Sequence, residues 1–309
     1  MRQFLSLVSV AVFLLSSVAA GAVEVRVLTT ADGLPSNQVT ALAVAPDGKL
    51  WVGSADAGLY LLDPATGKGK GFRAADGLSS DAVVSIAFAG GKAYVGTAAA
   101  LSLLDGGAWK TIDKVENVTM RNVRVAASPD GKEVWACAVY LAGGTVRFDG
   151  SAWKFMGGEG RGLFNGVQGF AFLAEGVLMA DGSGGAYLHT GSDIRPMAEG
   201  LSPSNVFAAA SFRGKALLGT SRGLFEHNGR WNPVSLPPGF LDVPVFALAA
   251  DKGRWAAGTA NGLLFFDSGT LKTIGTTDGL PADRVTSVAI GPDYLAAGTA
   301  RGVALVRGR

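Results

Sequence analysis

The chain has 309 residues, of which 45 are glycine and only 17% are charged, with 27 basic and 25 acidic side chains. Its 48% hydrophobic content excludes a disordered chain, and a net charge of +2 without a basic run argues against nucleic acid as a partner. One cysteine and two histidines exclude an intrachain disulfide, a cysteine-based zinc site and a histidine-rich metal cage, so we expect neither a metal nor another cofactor.

Residues 1–22 have the pattern of an export signal peptide. Arg2 supplies the positive end, an apolar run follows over residues 4–18, and residues 20–22 are the small residues Ala-Gly-Ala that precede a cleavage site. The apolar run is shorter than the roughly 20 residues that span a bilayer, so a retained anchor is the weaker interpretation. We therefore expect a periplasmic or secreted protein with no membrane span after cleavage. Cys137 is then an unpaired thiol that behaves as a small buried hydrophobic residue.

The rest of the chain is a tandem repeat. Each unit begins at a valine that opens an alternating apolar run, and these valines recur every 39 to 44 residues. They are Val39, Val83, Val123, Val167, Val206, Val245 and Val285. Each unit has four short apolar segments separated by Gly, Asp, Asn or Pro turns, and no segment has the 3.6-residue period of an amphipathic helix. This pattern predicts an all-β, seven-bladed β-propeller of four-stranded blades in one domain, residues 23–309.

The two ends of the chain predict how the ring closes. Residues 285–309 provide 25 positions, enough for three strands, and residues 23–38 provide the other 16 positions of a 41-residue unit. Residues 25–34 also align without a gap with residues 271–280, which contain the fourth strand of the preceding unit. We therefore expect residues 23–38 to complete the last blade with its outer strand, which removes an open sheet edge.

The repeat resembles the two-component regulator propeller family. The first copy reads DGLPSNQV at residues 32–39, PDGKLWVGS at residues 46–54 and GLY at residues 58–60. The DGLP element returns at residues 278–281 and, in a weaker form, at residues 76–79. In that family the propellers are periplasmic sensor regions of membrane histidine kinases that bind carbohydrates or other ligands, and the resemblance implies such a role. Because no kinase sequence follows the propeller, we expect an accessory sensor rather than a kinase.

The loops of one rim contain polar residues that recur from unit to unit. The polar residues of the Asp-Gly-Leu loops are predicted to be turn residues. Their short side chains accept hydrogen bonds from nearby backbone N–H groups. They are Asp32, Asp76 and Asp278, together with Asn37, Asp81, Asn205 and Asp283 just before their strands. We expect a structural role for this set.

The candidate ligand-binding residues lie in the loops between second and third strands. Arg222, Asn261 and Arg301 occupy one position in three consecutive units. Two guanidinium groups and an amide on one rim fit a carboxylate, a phosphate or a sulfated sugar. Tyr140, in the longer loop of the third unit, offers a stacking wall. The plainer interpretation is that these are solvated loop residues.

The histidines and tryptophans are better explained by packing. His189 and His227 fall four residues after the glycine that opens a third strand, where other units have Leu, Phe or Val. We therefore expect them in the outer half of the blade and not in a metal centre. The tryptophans recur in the second and fourth strands, which predicts packing between blades. The sequence has no Ser-His-Asp arrangement, P-loop or paired-acid motif.

These observations favour an exported, non-enzymatic propeller that binds a small ligand, anionic or carbohydrate, or an envelope protein. Two alternatives stay open. A propeller enzyme, either a lyase or a glycan-active hydrolase, requires a cluster of His, Glu or Asp in the axial funnel, and we expect none. A scaffold for envelope protein assembly requires no such cluster.

Overall fold

The computed structural model describes residues 23–140, 143–157, 164, 166–183, 185–191, 193–201, 204–251 and 253–308. Within these residues, seven four-stranded antiparallel sheets form a ring in which the innermost strand of each sheet contacts those of both neighbours. This arrangement confirms the predicted all-β, seven-bladed propeller. The predicted signal peptide, residues 1–22, lies outside the described residues. Across the described ranges, no helix combines the length and apolar character needed to cross a bilayer.

The strands follow one another from the axis outward in each blade. Blade 1 consists of β2 (Val39–Val44), β3 (Leu50–Ser54), β4 (Leu59–Leu62) and β5 (Gly69–Phe72), and blade 2 of β6 (Val83–Ala89), β7 (Lys92–Thr97), β8 (Leu101–Asp105) and β9 (Ala108–Ile112). A short hairpin, β10 (Lys114–Val115) and β11 (Val118–Thr119), leads to blade 3, with β12 (Val123–Ala127), β13 (Val134–Ala138), β14 (Gly144–Phe148) and β15 (Trp153–Phe155).

The second half of the ring repeats this order. Blade 4 consists of β16 (Val167–Leu173), β17 (Gly176–Asp181), β18 (Gly185–His189) and β19 (Ile194–Pro196), and blade 5 of β20 (Val206–Phe212), β21 (Lys215–Thr220), β22 (Gly223–His227) and β23 (Trp231–Pro233). Blade 6 consists of β24 (Val245–Ala250), β25 (Arg254–Thr259), β26 (Gly262–Asp267) and β27 (Thr270–Ile274).

Blade 7 is assembled from both ends of the chain. Its strands are β28 (Ser287–Ile290), β29 (Leu295–Thr299), β30 (Gly302–Gly308) and, outermost, β1 (Val23–Leu28). The strands β1 and β30 pair antiparallel over six residues, from Val23 opposite Gly308 to Leu28 opposite Val303. This pairing confirms the predicted closure. The innermost strand begins two residues later than predicted, because the N–H of Val285 donates to the carbonyl of Thr259 in blade 6, at 2.9 Å, instead of pairing within its own blade.

Three single-turn 3₁₀ helices lie at the Asp-Gly-Leu sequences: Thr30–Asp32, Ala74–Asp76 and Thr276–Asp278. In each, the aspartate carboxylate accepts a hydrogen bond from the backbone N–H three residues earlier, at 2.8 to 3.0 Å. The glycine that follows has a φ of 98° to 106°, a left-handed conformation that glycine adopts without a steric penalty. The prediction that these aspartates are turn residues is therefore confirmed.

The hydrophobic core is divided into layers between neighbouring blades. Trp51 of blade 1 packs edge-on against Phe88 of blade 2, with ring centroids 5.0 Å apart, and Trp135 of blade 3 packs with Phe170 of blade 4. Trp231 of blade 5 is 1% exposed, within a cluster that includes blade 4. Since fully burying a large apolar side chain contributes about 1.5–3 kcal/mol, these layers stabilise the ring, and the predicted packing of the tryptophans between blades is confirmed.

The recurring Gly-Thr pair at the end of the second strand has a packing explanation. A Cβ atom on Gly258 would lie 2.7 Å from the carbonyl oxygen of Val285 in the next blade, closer than real Cβ atoms approach. The following residue, Thr259, donates through its hydroxyl to the carbonyl of Gly262, at 2.8 Å, and accepts from the N–H of Asn261, at 3.0 Å. Glycine thus lets the blades approach each other, and threonine holds the turn to the third strand.

Candidate functional site

Several residues of each blade line the channel along the ring axis, and one position per blade lines both of its adjoining cavities. In every blade this is the residue after the valine that opens the repeat. We call the set the axial ring: Thr40, Val84, Arg124, Gln168, Phe207, Phe246 and Thr286. In blades 1, 2, 4, 5 and 6 the register between first and second strands shifts at this residue, which forms a β-bulge. Blade 3 keeps its register at Arg124, which lines the channel as well.

The axial ring lies at the inner end of a cavity of about 670 Å³. A narrower space of about 260 Å³, also lined by the axial ring, continues along the axis. The loops at the mouth of the cavity and the first residues of β2 and β6 complete its wall: Gln38, Val39, Ala55, Val83, Asn122, Ala282, Arg284, Ala300 and Arg301. Among the residues that the structure describes, the charged side chains of this wall are three arginines, namely Arg124, Arg284 and Arg301. The volume lies within the range of about 300–1,000 Å³ that is typical of small-molecule sites.

Arg124 brings a partly satisfied guanidinium group into the channel. Its Nη1 donates to the carbonyl of Val84 in the neighbouring blade, at 3.1 Å. Its Nε is buried and has no hydrogen-bond partner within the described part of the chain. Burial lowers the pKa of Arg124 from its ordinary value, because desolvation disfavours the charged form. A guanidinium group retains its proton in proteins, so Arg124 brings a positive charge to the cavity wall.

Phe207 and Phe246 give blades 5 and 6 an aromatic surface on the axis. Their ring centroids are 5.5 Å apart, and the rings are inclined by 41°. Both side chains are half-buried, and both line the cavity. The guanidinium carbon of Arg284 lies 4.2 Å from the centroid of Phe246, which places a cation over this aromatic surface at the mouth.

Two hydroxyl groups of the axial ring connect the blades instead of facing a ligand. The hydroxyl of Thr40 donates to the carbonyl of Val83 in blade 2, at 2.7 Å. The hydroxyl of Thr286 donates to the carbonyl of Val39 in blade 1, at 3.1 Å. Threonine at this position therefore stabilises the contact between blades 7, 1 and 2 and leaves less donor capacity for a ligand.

The predicted rim residues share one backbone position. The N–H groups of Arg222, Asn261 and Arg301 each donate to the threonine hydroxyl two residues earlier, at 2.9 to 3.0 Å. Of the three, Arg301 lines the axial cavity. The side-chain amide of Asn261 donates to the carbonyl of Gly239, at 2.8 Å, in the loop before blade 6. Arg222 is exposed and is not among the described residues that line the cavity.

Tyr140 also lies on the rim, apart from the cavity wall. Its side chain is 47% exposed, and the guanidinium carbon of Arg121 lies 5.8 Å from its ring centroid. It is not among the described residues that line the axial cavity. The structure therefore does not bring Arg222, Asn261, Arg301 and Tyr140 together at one pocket, and their role in binding stays a prediction.

The two histidines pack against tryptophans. The imidazole of His189 lies edge-on to Trp135, with ring centroids 5.1 Å apart, and that of His227 lies 5.0 Å from Trp231. Burial lowers the pKa of both histidines. Within the described ranges, no group of three or more His, Cys, Asp or Glu side chains is placed to hold a metal ion. Cys137 is unpaired and fully buried, as predicted.

A second groove, of about 550 Å³, lies between blades 3 and 4 at the opposite ends of the strands. Two of its charged residues, Glu133 and Arg147, form an ion pair. The carboxylate of Glu133 accepts from Nε of Arg147, at 3.0 Å, and from Nε1 of Trp135, at 3.0 Å, and it also contacts Nη2 of Arg147. The axial cavity differs because its arginines have no carboxylate beside them among the described lining residues.

The rim prediction missed Arg124, Gln168, Phe207, Phe246 and Arg284. A signal for them is present in the aligned repeats, immediately before and after each opening valine. The positions next to Val39 hold Gln38 and Thr40, whereas those next to Val285 hold Arg284 and Thr286. The residue after the opening valine changes from Thr to Arg, Gln and Phe between units. Such variation does not fit one packing role and indicates a position that faces the axis.

Comparisons with known proteins agree with the architecture. Residues 33–56 match the family model described as two component regulator propeller. No curated protein matches the chain. The fold is similar to the extracellular domain of the putative hybrid two component system BT3049 from B. thetaiotaomicron, with a TM-score of 0.76 and 19% identity over 91% of this chain and 40% of that one.

Two further solved structures share the fold. The extracellular domain of the putative one component system BT4673 from B. thetaiotaomicron has a TM-score of 0.71 and 16% identity, over 93% of this chain and 40% of that one. Virginiamycin B lyase from Staphylococcus aureus has a TM-score of 0.65 and 11% identity, over 92% of this chain and 98% of that one. The chain thus spans about 40% of the length of the two extracellular domains. At these identities the likeness establishes the propeller fold.

Proposed function

We propose that this chain, a seven-bladed propeller that carries the two component regulator propeller repeat, is an exported, non-enzymatic protein that binds a small anionic ligand in its axial cavity. The observation that carries the proposal is the set of three arginines, Arg124, Arg284 and Arg301, in a wall whose described residues include no carboxylate. In this proposal residues 1–22 are the signal peptide, and residues 23–309 form the mature periplasmic or secreted propeller.

The chemistry of the cavity wall supports binding over catalysis. Its titratable side chains in the described part of the chain are arginines, which stay protonated near neutral pH and therefore serve poorly as general acids or bases. Hydrogen bonds from charged donors contribute about 1.5–3 kcal/mol each. The likeness to extracellular domains of two component systems supports a sensor-type role outside the cytoplasm. The likeness to virginiamycin B lyase is at 11% identity and concerns the fold.

The test is a binding screen with variants matched to the repeat. The purified protein is titrated calorimetrically with carboxylates, phosphates and sugar acids, each beside its neutral amide or alcohol. We expect anions to bind, and Arg124→Gln and Arg301→Ala each to weaken binding about tenfold or more, since each removes a charge-assisted hydrogen bond. Arg230→Ala, which removes an exposed arginine that is not among the described residues of the cavity wall, is the control and should leave affinity unchanged.

Two outcomes would contradict the proposal. If Arg124→Gln and Arg301→Ala both left the affinity for the anion unchanged, the binding site would lie elsewhere on the propeller. If no small molecule in the screen bound the folded protein, the alternative of an envelope protein-assembly scaffold would be favoured instead.

A further inference from the structure

The polarity of the axial ring is divided between opposite sides of the channel. Blades 3 and 4 contribute Arg124 and Gln168, whereas blades 5 and 6 contribute Phe207 and Phe246. In a closed ring of seven, blades 3 and 6 are three steps apart in one direction and four in the other, so Arg124 and Phe246 lie across the axis from each other. A molecule in the channel therefore meets a guanidinium group on one side and aromatic rings on the other.

The two phenylalanines pack on each other across blades 5 and 6 but lie outside the hydrophobic core between the blades. Within the described part of the chain, neither is a member of an inter-blade core cluster. Both are half-buried, with their rings on the cavity. Apolar surface that faces water costs free energy, and this cost is recovered when an apolar group covers that surface. Phe207 and Phe246 thus form an apolar face that a ligand can cover.

The ring itself shows that phenylalanine is not needed here for closure. Blades 1 and 7 have Thr40 and Thr286 at the same position, and both threonine hydroxyls donate to carbonyls of neighbouring blades. Threonine therefore performs the structural role of this position. The replacement of threonine by phenylalanine in two consecutive blades gives up such hydrogen bonds and adds an aromatic surface to the cavity.

Resting on the proposed function, we infer that the ligand is an aromatic carboxylate. Its carboxylate group binds at the guanidinium group of Arg124, which lines the cavity next to Gln168 of the following blade. Its ring packs on Phe207 and Phe246, in the offset or edge-on arrangements that aromatic pairs prefer. Further anionic or polar groups at the mouth meet Arg284 and Arg301. A sugar acid shares the charge of this ligand but lacks the flat apolar ring.

The experiment compares three probes by isothermal titration calorimetry on the purified protein. The probes are 2-naphthoate, its neutral amide 2-naphthamide, and galacturonate, which is an anion without an aromatic ring. We expect 2-naphthoate to bind at least tenfold more tightly than either of the others. Phe207→Thr, which installs the residue of blades 1 and 7, should weaken 2-naphthoate about fivefold or more and leave galacturonate unchanged. Arg124→Gln, which installs the residue of blade 4, should weaken both anions.

Folding of each variant is checked by thermal unfolding, and Phe207→Leu provides a second variant that keeps the apolar volume while removing the ring. The inference is overturned if galacturonate binds as tightly as 2-naphthoate, or if both Phe207 variants bind 2-naphthoate like the wild type. With either result, binding of galacturonate that depends on Arg124 would still support the proposed anion-binding function. If neither anion binds, both the inference and the proposed anion-binding function are overturned. Arg230→Ala again serves as the control.

Discussion

The guanidinium carbon of Arg284 lies 4.2 Å from the centroid of the Phe246 ring, at the mouth of the axial cavity. Arg284 immediately precedes the valine that opens the seventh repeat, and Phe246 belongs to the innermost strand of blade 6. The contact therefore joins two blades. Because an aromatic face attracts a cation without neutralising its charge, Phe246 holds Arg284 in place and leaves its positive charge available to a ligand.

Replacing Arg284 should affect binding more than stability. Arg284→Gln installs the residue that blade 1 has at the equivalent position, Gln38. Since Arg284 is exposed and exposed cation–π contacts contribute about 0.5–1 kcal/mol, we expect the free energy of unfolding to fall by about 1 kcal/mol or less. The affinity for an anion should fall by several-fold. Urea unfolding and calorimetric titration measure the two quantities, and a large loss of stability with unchanged affinity would contradict the prediction.

Gly258→Ala should destabilise the contact between blades 6 and 7. The new Cβ would lie 2.7 Å from the carbonyl oxygen of Val285, so the blades must separate. Overpacking of this kind typically costs about 1–3 kcal/mol. Gly253→Ala is the matched control, in the same blade, because nothing lies within 4 Å of a Cβ built there. The free energies of unfolding of the two variants should differ, and equal values would exclude the close-approach explanation of the Gly-Thr pair.

The stability of the protein should fall in mild acid, in part through His189. Burial lowers the pKa of His189 below its ordinary value of 6.5. As pH falls through 6.5, the unfolded chain takes up the proton first, so the unfolded state binds more protons and the free energy of unfolding decreases. His189→Leu installs the residue that the first repeat has there, Leu62. Thermal unfolding at roughly pH 7.5 and 5.5 should show a smaller loss for this variant. If the wild type and the His189→Leu variant lost the same stability between these pH values, His189 would be excluded as a contributor.

The closing strand should be a stability determinant of the whole ring. Leu28 of β1 is 2% exposed and packs in the cluster between blades 7 and 1. Leu28→Ala should cost about 2–5 kcal/mol, because it leaves a cavity in that layer. Val23→Ala, at the half-buried outer end of β1, should cost clearly less. Thermal unfolding compares the two variants. A Leu28→Ala variant as stable as the wild type would argue against closure by β1.

Cys137 should be chemically inert in the folded protein. Desolvation raises the pKa of its thiol to about 12, and its Sγ lies 3.2 Å from the carbonyl oxygen of Phe164, to which it donates. The thiolate is the reactive form, so an aromatic disulfide reagent at about pH 8 should modify the thiol only after denaturant is added. Rapid modification of the native protein would show that this layer opens.

The repeat period, the turn residues and the closing strand could be predicted from the sequence, because each depends on local patterns. Alternation of apolar residues defines strands within four to seven positions, and an Asp-Gly pair specifies its turn through its own backbone. Closure of the ring could also be predicted from a local pattern. The C-terminal unit lacks a fourth strand, and the N-terminal segment provides one extra strand. The structure confirms the turn residues and the closing strand, with β1 paired to β30.

The composition of the axial cavity was decided only by the tertiary structure. The equivalent backbone positions of Arg222, Asn261 and Arg301 were evident in the aligned repeats, yet only Arg301 lines the cavity, because the Asn261 amide binds the Gly239 carbonyl and Arg222 lies outside the wall. Arg124 and Phe246 line the same cavity although 122 positions separate them in the sequence (246 − 124). The physical reason is that the channel of a closed ring collects side chains from innermost strands that are distant in the sequence.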